Sequence, residues 1–325
     1  MGRTELSKHA ICLTVRHLKG REMDTTTPSR TAMFCSLHRA SHSRHDPNPL
    51  IDDTWGDRLV PDSVRDFLFE SALSTMDEAG RREALTSREA VLKSRMRASA
   101  GFCNAILRCR YTEDTLKAAT ASGINQYVVI GAGFDTFALR RPPFSQDMQV
   151  IEVDHPATQE FKLERLSDLG VKVPSSTFFA AADLSVQDIG STLSRTPFRN
   201  DSPAFFSWLG VTIYLTREAN LQTLGAIARC AAPRSEIVFT YFDQDVFESE
   251  SNSDAFIRMQ KLVAAGGEPF VSGFEPHLLG ETLGEVGWDL LEDLDESQML
   301  TRYDATGENG MSPLAKSRFA HGRRQ

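Results

Sequence analysis

Five short apolar runs, each separated from the next by a stretch of helical pattern, constrain this chain more than any other feature: residues 127–130, 149–153, 177–182, 204–209 and Glu236–Phe242. Glycine, aspartate or proline bounds them, and short runs that are apolar without alternation are what strands buried on both faces look like. Strands separated by helices are joined by right-handed crossovers, so the pattern predicts a mostly parallel sheet with helices on both faces. A helix over 276–286, a run at 288–291 and an apolar patch around Phe319 would supply the last strands and their connection.

The rest of the chain is read around that core. A length of 325 residues, with 41% hydrophobic and 25% charged, fits one large α/β domain with additions at its edges. Residues 29–120 read as a helical cap, with helices expected over 30–41, 62–76 and 87–120 and breaks at Asp46-Pro47 and Asn48-Pro49. Residues 1–28 read as a loose leader; Arg3, Lys8, Arg16 and Arg21 give it some targeting-peptide character, which Glu5, Glu22 and Asp24 count against. The core is expected over 121–325, with an insertion at about 244–276 that carries a helix, Asp254–Ala265, ended by Gly266-Gly267.

Several function classes are disfavoured at this level. No apolar run approaches the ~20 residues of a membrane span, and 10–15 is too short for a signal sequence, so a cytoplasmic protein without a membrane partner is expected. Cys12, Cys35, Cys103, Cys109 and Cys230 are odd in number and lack a Cys-x-x-Cys pair, which argues against both a disulfide framework and a zinc site. The net charge of −8 divides into +4 over residues 1–110 and −12 over the remainder, the wrong sign for a core that binds nucleic acid.

Three strand ends carry ligand-type residues. The first is Gly131-Ala132-Gly133-Phe134-Asp135-Thr136, where glycines allow close approach to the backbone and the following turn presents free N–H groups. The second is Asp154, about 20 residues on, a carboxylate able to accept from both hydroxyls of an adenosine ribose. The third is Asp183-Leu184, suited to the exocyclic amine of adenine. Each alone reads equally well as a turn or a helix cap; together they describe one crevice. A dinucleotide cofactor such as NAD(P) is disfavoured, because no third glycine follows Gly133 and that fingerprint needs one for helix packing.

Residues 126–140, the segment Glu152-Val153-Asp154-His155-Pro156 with Lys162, and Trp208-Leu209-Gly210-Val211-Thr212-Ile213-Tyr214-Leu215 resemble the leucine carboxyl methyltransferase family, and the likeness runs from about Ser29 to Phe319. The resemblance implies a Rossmann-like class I methyltransferase fold, S-adenosyl-L-methionine as cofactor, and methyl transfer to a carboxylate or hydroxyl oxygen of a small molecule or natural product, with a protein C-terminal carboxylate as the alternative acceptor. Carried onto this chain, it implies that Arg108 grips the cofactor carboxylate, with Arg110 as the alternative. It places Gly131 and Gly133 at the cofactor, Asp154 at the ribose and Asp183-Leu184 at the adenine. The segment Ser29-Arg30-Thr31 to Arg39 is similar to the family's lid. Leu209 departs from the glutamate that many relatives carry before this glycine, which removes a polar cofactor or substrate contact.

A carboxylate acceptor needs no general base, whereas a hydroxyl does. His155, Tyr214, Tyr241 and Glu268 are polar candidates near the expected mouth, although capping or packing is the favoured reading of each. His38 and His42 share a helix face with His45 nearby, but without a Glu of the His-Glu-x-x-His type they read as lid packing rather than a metal site. Likewise Phe178-Phe179 and Phe205-Phe206 read as core strands.

Overall fold

A computed structural model of the chain describes residues 27–248, 252–314 and 316–325. The leader expected over 1–28 lies, up to residue 26, outside the described residues. The core is a seven-stranded sheet: β1 (Gln126–Ile130), β2 (Gln149–Asp154), β3 (Thr177–Ala181), β4 (Phe205–Trp208), β5 (Glu236–Phe242), β6 (Trp288–Asp295) and β7 (Ser317–Arg324), in the order β3-β2-β1-β4-β5-β7-β6. The first five strands pair in parallel, and β7 is antiparallel to both of its neighbours.

Alternation along β1 explains why its run is apolar throughout. Val128 and Ile130 face the side packed by the helices Ile189–Leu193 and Arg217–Cys230, while Tyr127 and Val129 face the helix Phe102–Ala121. Both faces are therefore core, as a sheet with helix crossovers requires. A third cluster joins Met33 and Leu37 of the helix Arg30–His45 to Phe134 in the glycine turn and Leu166 in the helix Pro156–Asp168. The cap thus packs directly on the carboxyl ends of the strands.

Local structure departs from expectation in three places. The stretch 87–120 is two helices, Arg88–Arg97 and Phe102–Ala121, broken around Gly101. The first helix runs on to His45, because Ser43 back-bonds to Arg39 at 2.9 Å and Asp46 caps through His42. The last parallel-sense strand extends to Asp295 past an irregularity between Leu290 and Glu292, which shifts its alternation. Among the described residues no helix is long and apolar enough to cross a membrane.

Candidate active site

The sheet order reverses at β1, which has β2 on one side and β4 on the other, and the crevice outside carboxyl strand ends at such a reversal is where open α/β sheets bind ligands. Register aligns the tips. Ile130 pairs with Val153 and with Trp208, and Asp154 pairs with Ala181, so Gly131, Asp154, Leu209 and the residues after Ala181 emerge side by side.

Gly131 and Gly133 take φ of +66° and +51°, the left-handed region that side chains strongly disfavour. Space forbids a side chain as well: a Cβ on Gly131 would run into the Val211 side chain, and one on Gly133 would sit 2.8 Å from Ala32 Cβ of the lid. The turn folds across the end of β2, where Gly131 N and Ala132 N donate to the Val153 carbonyl at 2.8 and 3.2 Å. Gly133 N donates to Asp154 Oδ2, and His155 N donates to Asp154 Oδ1 at 2.6 Å. Burial raises the Asp154 carboxyl above its ordinary range, and those two backbone N–H groups oppose the rise.

Two buried cations fasten the turn from below. Lys162 Nζ donates to the Asp135 carbonyl at 2.7 Å and Arg39 Nη2 to the Phe134 carbonyl at 2.7 Å. Each has its own carboxylate, Glu152 at 2.5 Å and Asp53 at 2.8 Å.

Arg108 reaches the same cavity from the helix Phe102–Ala121. Its Nη1 donates to Asn104 Oδ1 at 3.3 Å, and it forms no ion pair among the described residues. Gly210, with φ +69°, lies flat against the guanidinium, so that a Cβ there would be 2.9 Å from Arg108 Cζ. Arg110 faces elsewhere: it pairs with Asp114 at 3.0 Å and donates to the Leu50 carbonyl at 2.9 Å. On the far side, Asp183 Oδ1 accepts from Ser185 N at 2.9 Å and Ser185 Oγ at 2.6 Å, the turn reading, while the residue still lines the cavity.

All six residues named from the sequence, Arg108, Gly131, Gly133, Asp154, Asp183 and Leu184, therefore line one cavity. The lid closes it. Ser29 Oγ donates to Glu268 Oε1 at 2.6 Å, Thr31 Oγ1 and Thr31 N bond Glu268 Oε2, and Ser29 N donates to Thr158 Oγ1 at 3.1 Å. Glu268 comes from the 244–276 segment, which a backbone hydrogen bond from Val271 N to the Ile213 carbonyl, 2.7 Å, ties to the loop after β4.

Of the polar candidates, His155, Tyr214 and Glu268 line the cavity. Tyr241 does not: its hydroxyl is turned to Asp293 at 2.9 Å and Arg318 at 3.1 Å beneath the sheet's antiparallel edge. The lid histidines are packed, His42 between Asp46 at 2.5 Å and Leu50 N at 2.7 Å, and His38 edge-on to Phe102. Arg39, Asn104 and Glu296 were not singled out by sequence. Arg39 reaches the Phe134 carbonyl 95 residues away, Asn104 reaches Glu296 and Ser317 at 192 and 213 residues, and no local pattern marks such pairs.

Comparison with known proteins bears on this geometry. The family model for leucine carboxyl methyltransferase matches residues 32–228. A Bacillus subtilis (strain 168) protein, YktD, named for S-adenosyl-L-methionine-dependent methyltransferase activity, is 30% identical over 300 residues, covering 90% of this chain and 97% of that protein. A Mycobacterium marinum (strain ATCC BAA-535 / M) protein named for the same activity is 29% identical over 297 residues, 88% and 89% of the two chains. A crystal structure from Thermobifida fusca YX, described as a methyltransferase, superposes with a TM-score of 0.53 at 17% identity over 93% of this chain and 97% of that one, which is a likeness of fold.

Proposed function

This chain belongs to the leucine carboxyl methyltransferase family and is an S-adenosylmethionine-dependent methyltransferase, and from that premise we propose that it methylates a carboxylate or hydroxyl oxygen of a small molecule at the cavity formed by β1 to β4 and the lid. The observation that carries the reading is the convergence of Arg108, Gly131, Gly133, Asp154, Asp183 and Leu184 on that one cavity. In this reading residues 29–120 are cap and lid, 121–325 are the core, and 244–276 is the insertion that meets the lid.

The residues fit the cofactor's parts. Arg108, whose hydrogen bond among the described residues is to an amide oxygen, has donors left for the amino-acid carboxylate, and a guanidinium offers them as a planar pair. Gly131 and Gly133 present bare backbone where a Cβ has no room, which lets a ligand approach closely. Asp154 would take the ribose hydroxyls, Asp183 the adenine amine and Leu184 its apolar edge. Bound there, S-adenosylmethionine would supply a methyl group activated by its sulfonium, for transfer to the acceptor oxygen with the thioether S-adenosylhomocysteine as leaving group.

What the chain contributes is position and dryness. Ser29, Thr31 and Glu268 tie the start of the cap to the 244–276 segment along the cavity wall, which narrows the way in and favours a small acceptor over a protein tail. Tyr214 remains at the cavity wall for contact with the acceptor, while Glu268 is occupied by Ser29 and Thr31 and His155 is occupied as the N-cap of the helix Pro156–Asp168. Leu209 leaves that wall apolar where a glutamate would have charged it.

Titration with S-adenosylhomocysteine and with NADPH tests the cofactor reading, with micromolar binding of the first and none of the second expected. Incubation of a cell extract with enzyme and isotopically labelled methyl donor, followed by mass spectrometry of small-molecule and protein fractions, tests the acceptor. Label confined to protein C termini would overturn the small-molecule assignment.

A further inference from the structure

We infer that Asn104 is a positioning residue for the cofactor's amino-acid tail: seated on Glu296 and Ser317, it holds the Arg108 guanidinium in the one orientation that faces the cavity. The inference rests on the assignment of Arg108 made above. Asn104 Nδ2 donates to Glu296 Oε1 at 3.1 Å and to Ser317 Oγ at 2.7 Å, so both amide hydrogens are spent and Oδ1 is left for Arg108 Nη1 at 3.3 Å. A reversed amide would set its oxygen against the Glu296 carboxylate and its NH2 against a guanidinium, acceptor to acceptor and donor to donor. Glu296 is itself held, because its Oε2 accepts from Leu314 N at 2.6 Å. Asn104, Glu296 and Ser317 are all buried, so none of these partners is exchanged for water.

Gly210 packs against the same guanidinium. Its backbone is held by a bond from its N to Thr240 Oγ1 at 2.7 Å, and it leaves no room for Arg108 to swing toward β4. Arg108 is thus clamped between an amide oxygen and a bare backbone. A long side chain fixed in this way loses less freedom on binding a carboxylate, so the clamp raises affinity without touching the ligand.

Two ligands separate positioning from simple structural support: S-adenosylhomocysteine carries the amino-acid tail, and 5′-methylthioadenosine keeps the adenosine and lacks it. By calorimetry, Asn104→Ala and the milder Asn104→Ser should weaken S-adenosylhomocysteine about tenfold and leave 5′-methylthioadenosine within about twofold, the loss of one hydrogen bond to a charged group. In an Arg108→Ala background the Asn104 change should add almost nothing, since the two act through one contact. Equal weakening of both ligands, or intact S-adenosylhomocysteine binding in both Asn104 variants while Arg108→Ala is damaging, overturns the inference. If Arg108→Ala itself leaves S-adenosylhomocysteine binding unchanged, it is the assignment of Arg108 that fails.

Discussion

Lys162 and Glu152 form an ion pair sealed from solvent, Nζ to Oε2 at 2.5 Å, and the same ammonium holds the Asp135 carbonyl of the glycine turn. Arg39 does the equivalent for the Phe134 carbonyl from the lid helix. The glycine turn at the cavity is therefore fixed by one cation from the core and one from the helix Arg30–His45, so the positions of that helix and of the turn are mechanically linked. Burial pushes the Glu152 carboxyl up to about 7 even with Lys162 beside it.

That coupling has a pH signature. Glu152 ionises near 4.5 when unfolded and near 7 when folded, so its contribution to stability is present at low pH and falls as pH rises from 4.5 to 7, then levels off. In Lys162→Met the ammonium that restrains the rise is gone, the folded-state titration moves higher, and stability keeps falling above pH 7. The destabilisation of this variant should widen by about 1 kcal/mol between pH 7 and 8. Urea denaturation at pH 6, 7 and 8 checks it; a penalty that does not change with pH would show that Glu152 carries no charge in the pair.

Asp154 offers a direct test of the ribose assignment. Its replacement by alanine removes a charged acceptor and should weaken S-adenosylhomocysteine by ~1–3 kcal/mol. Asp154→Asn keeps an oxygen for Gly133 N or His155 N and so separates loss of the ribose contact from loosening of the turn. Calorimetry that finds unchanged affinity in both variants would take Asp154 out of the cofactor site.

The strand-tip residues were legible in sequence because each sits at the end of a run whose burial on both faces makes it unmistakably apolar, as in Val128, Val129 and Ile130 before Gly131. Register, which depends on neighbouring strands, then brings Asp154 and Gly131 together without further local signal. The helical cap was harder. Ala98 and Ala100 favour helix, so the break before Phe102 was marked only by Gly101. Tyr241 was misplaced for a different reason: its hydroxyl is captured by Asp293, 52 residues away, on a strand whose position is set by antiparallel pairing.

Gly131→Ala combines two penalties. A non-glycine residue at φ +66° costs about 1–2 kcal/mol, and its Cβ meets Val211, whose branched side chain has little freedom to move away. The variant should lose at least tenfold in S-adenosylhomocysteine affinity. The double variant Gly131→Ala with Val211→Ala should recover the steric share and not the backbone share; full recovery would mean that the left-handed turn is not required.

His38 predicts an acid sensitivity. Burial lowers its ring pKa to about 3, with Arg108 and Arg39 adding to the effect, against an ordinary 6.5. The folded protein keeps the ring neutral, so this contribution is complete above pH 6.5 and is lost as pH falls toward 3, by about 2 kcal/mol at pH 5. His38→Leu should fall less in stability between pH 7 and pH 5 than the parent by about that amount in urea titrations. Identical pH slopes would show that the ring protonates in the folded state.

The lid closure rests on one carboxylate. Glu268 receives Ser29 Oγ, Thr31 Oγ1 and Thr31 N, so a single side chain of the 244–276 segment gathers the first turn of the helix Arg30–His45. Hydrogen bonds to a charged group contribute about 1.5–3 kcal/mol each when buried and less at a half-exposed rim, so Glu268→Ala should make opening of this turn roughly tenfold more frequent. Arg30 is exposed and is the first residue of the helix, which makes the Arg30–Thr31 bond a sensitive reporter. Limited trypsin digestion followed by mass spectrometry should show faster cleavage there in Glu268→Ala, and S-adenosylhomocysteine should slow it in both proteins by favouring the closed form. Glu268→Gln, which keeps the acceptor oxygen and loses the charge, should fall between the two. Equal cleavage rates in all three proteins would mean that the lid is held by its apolar contacts with Phe134 and Leu166 alone, and that Glu268 is free to serve the acceptor instead.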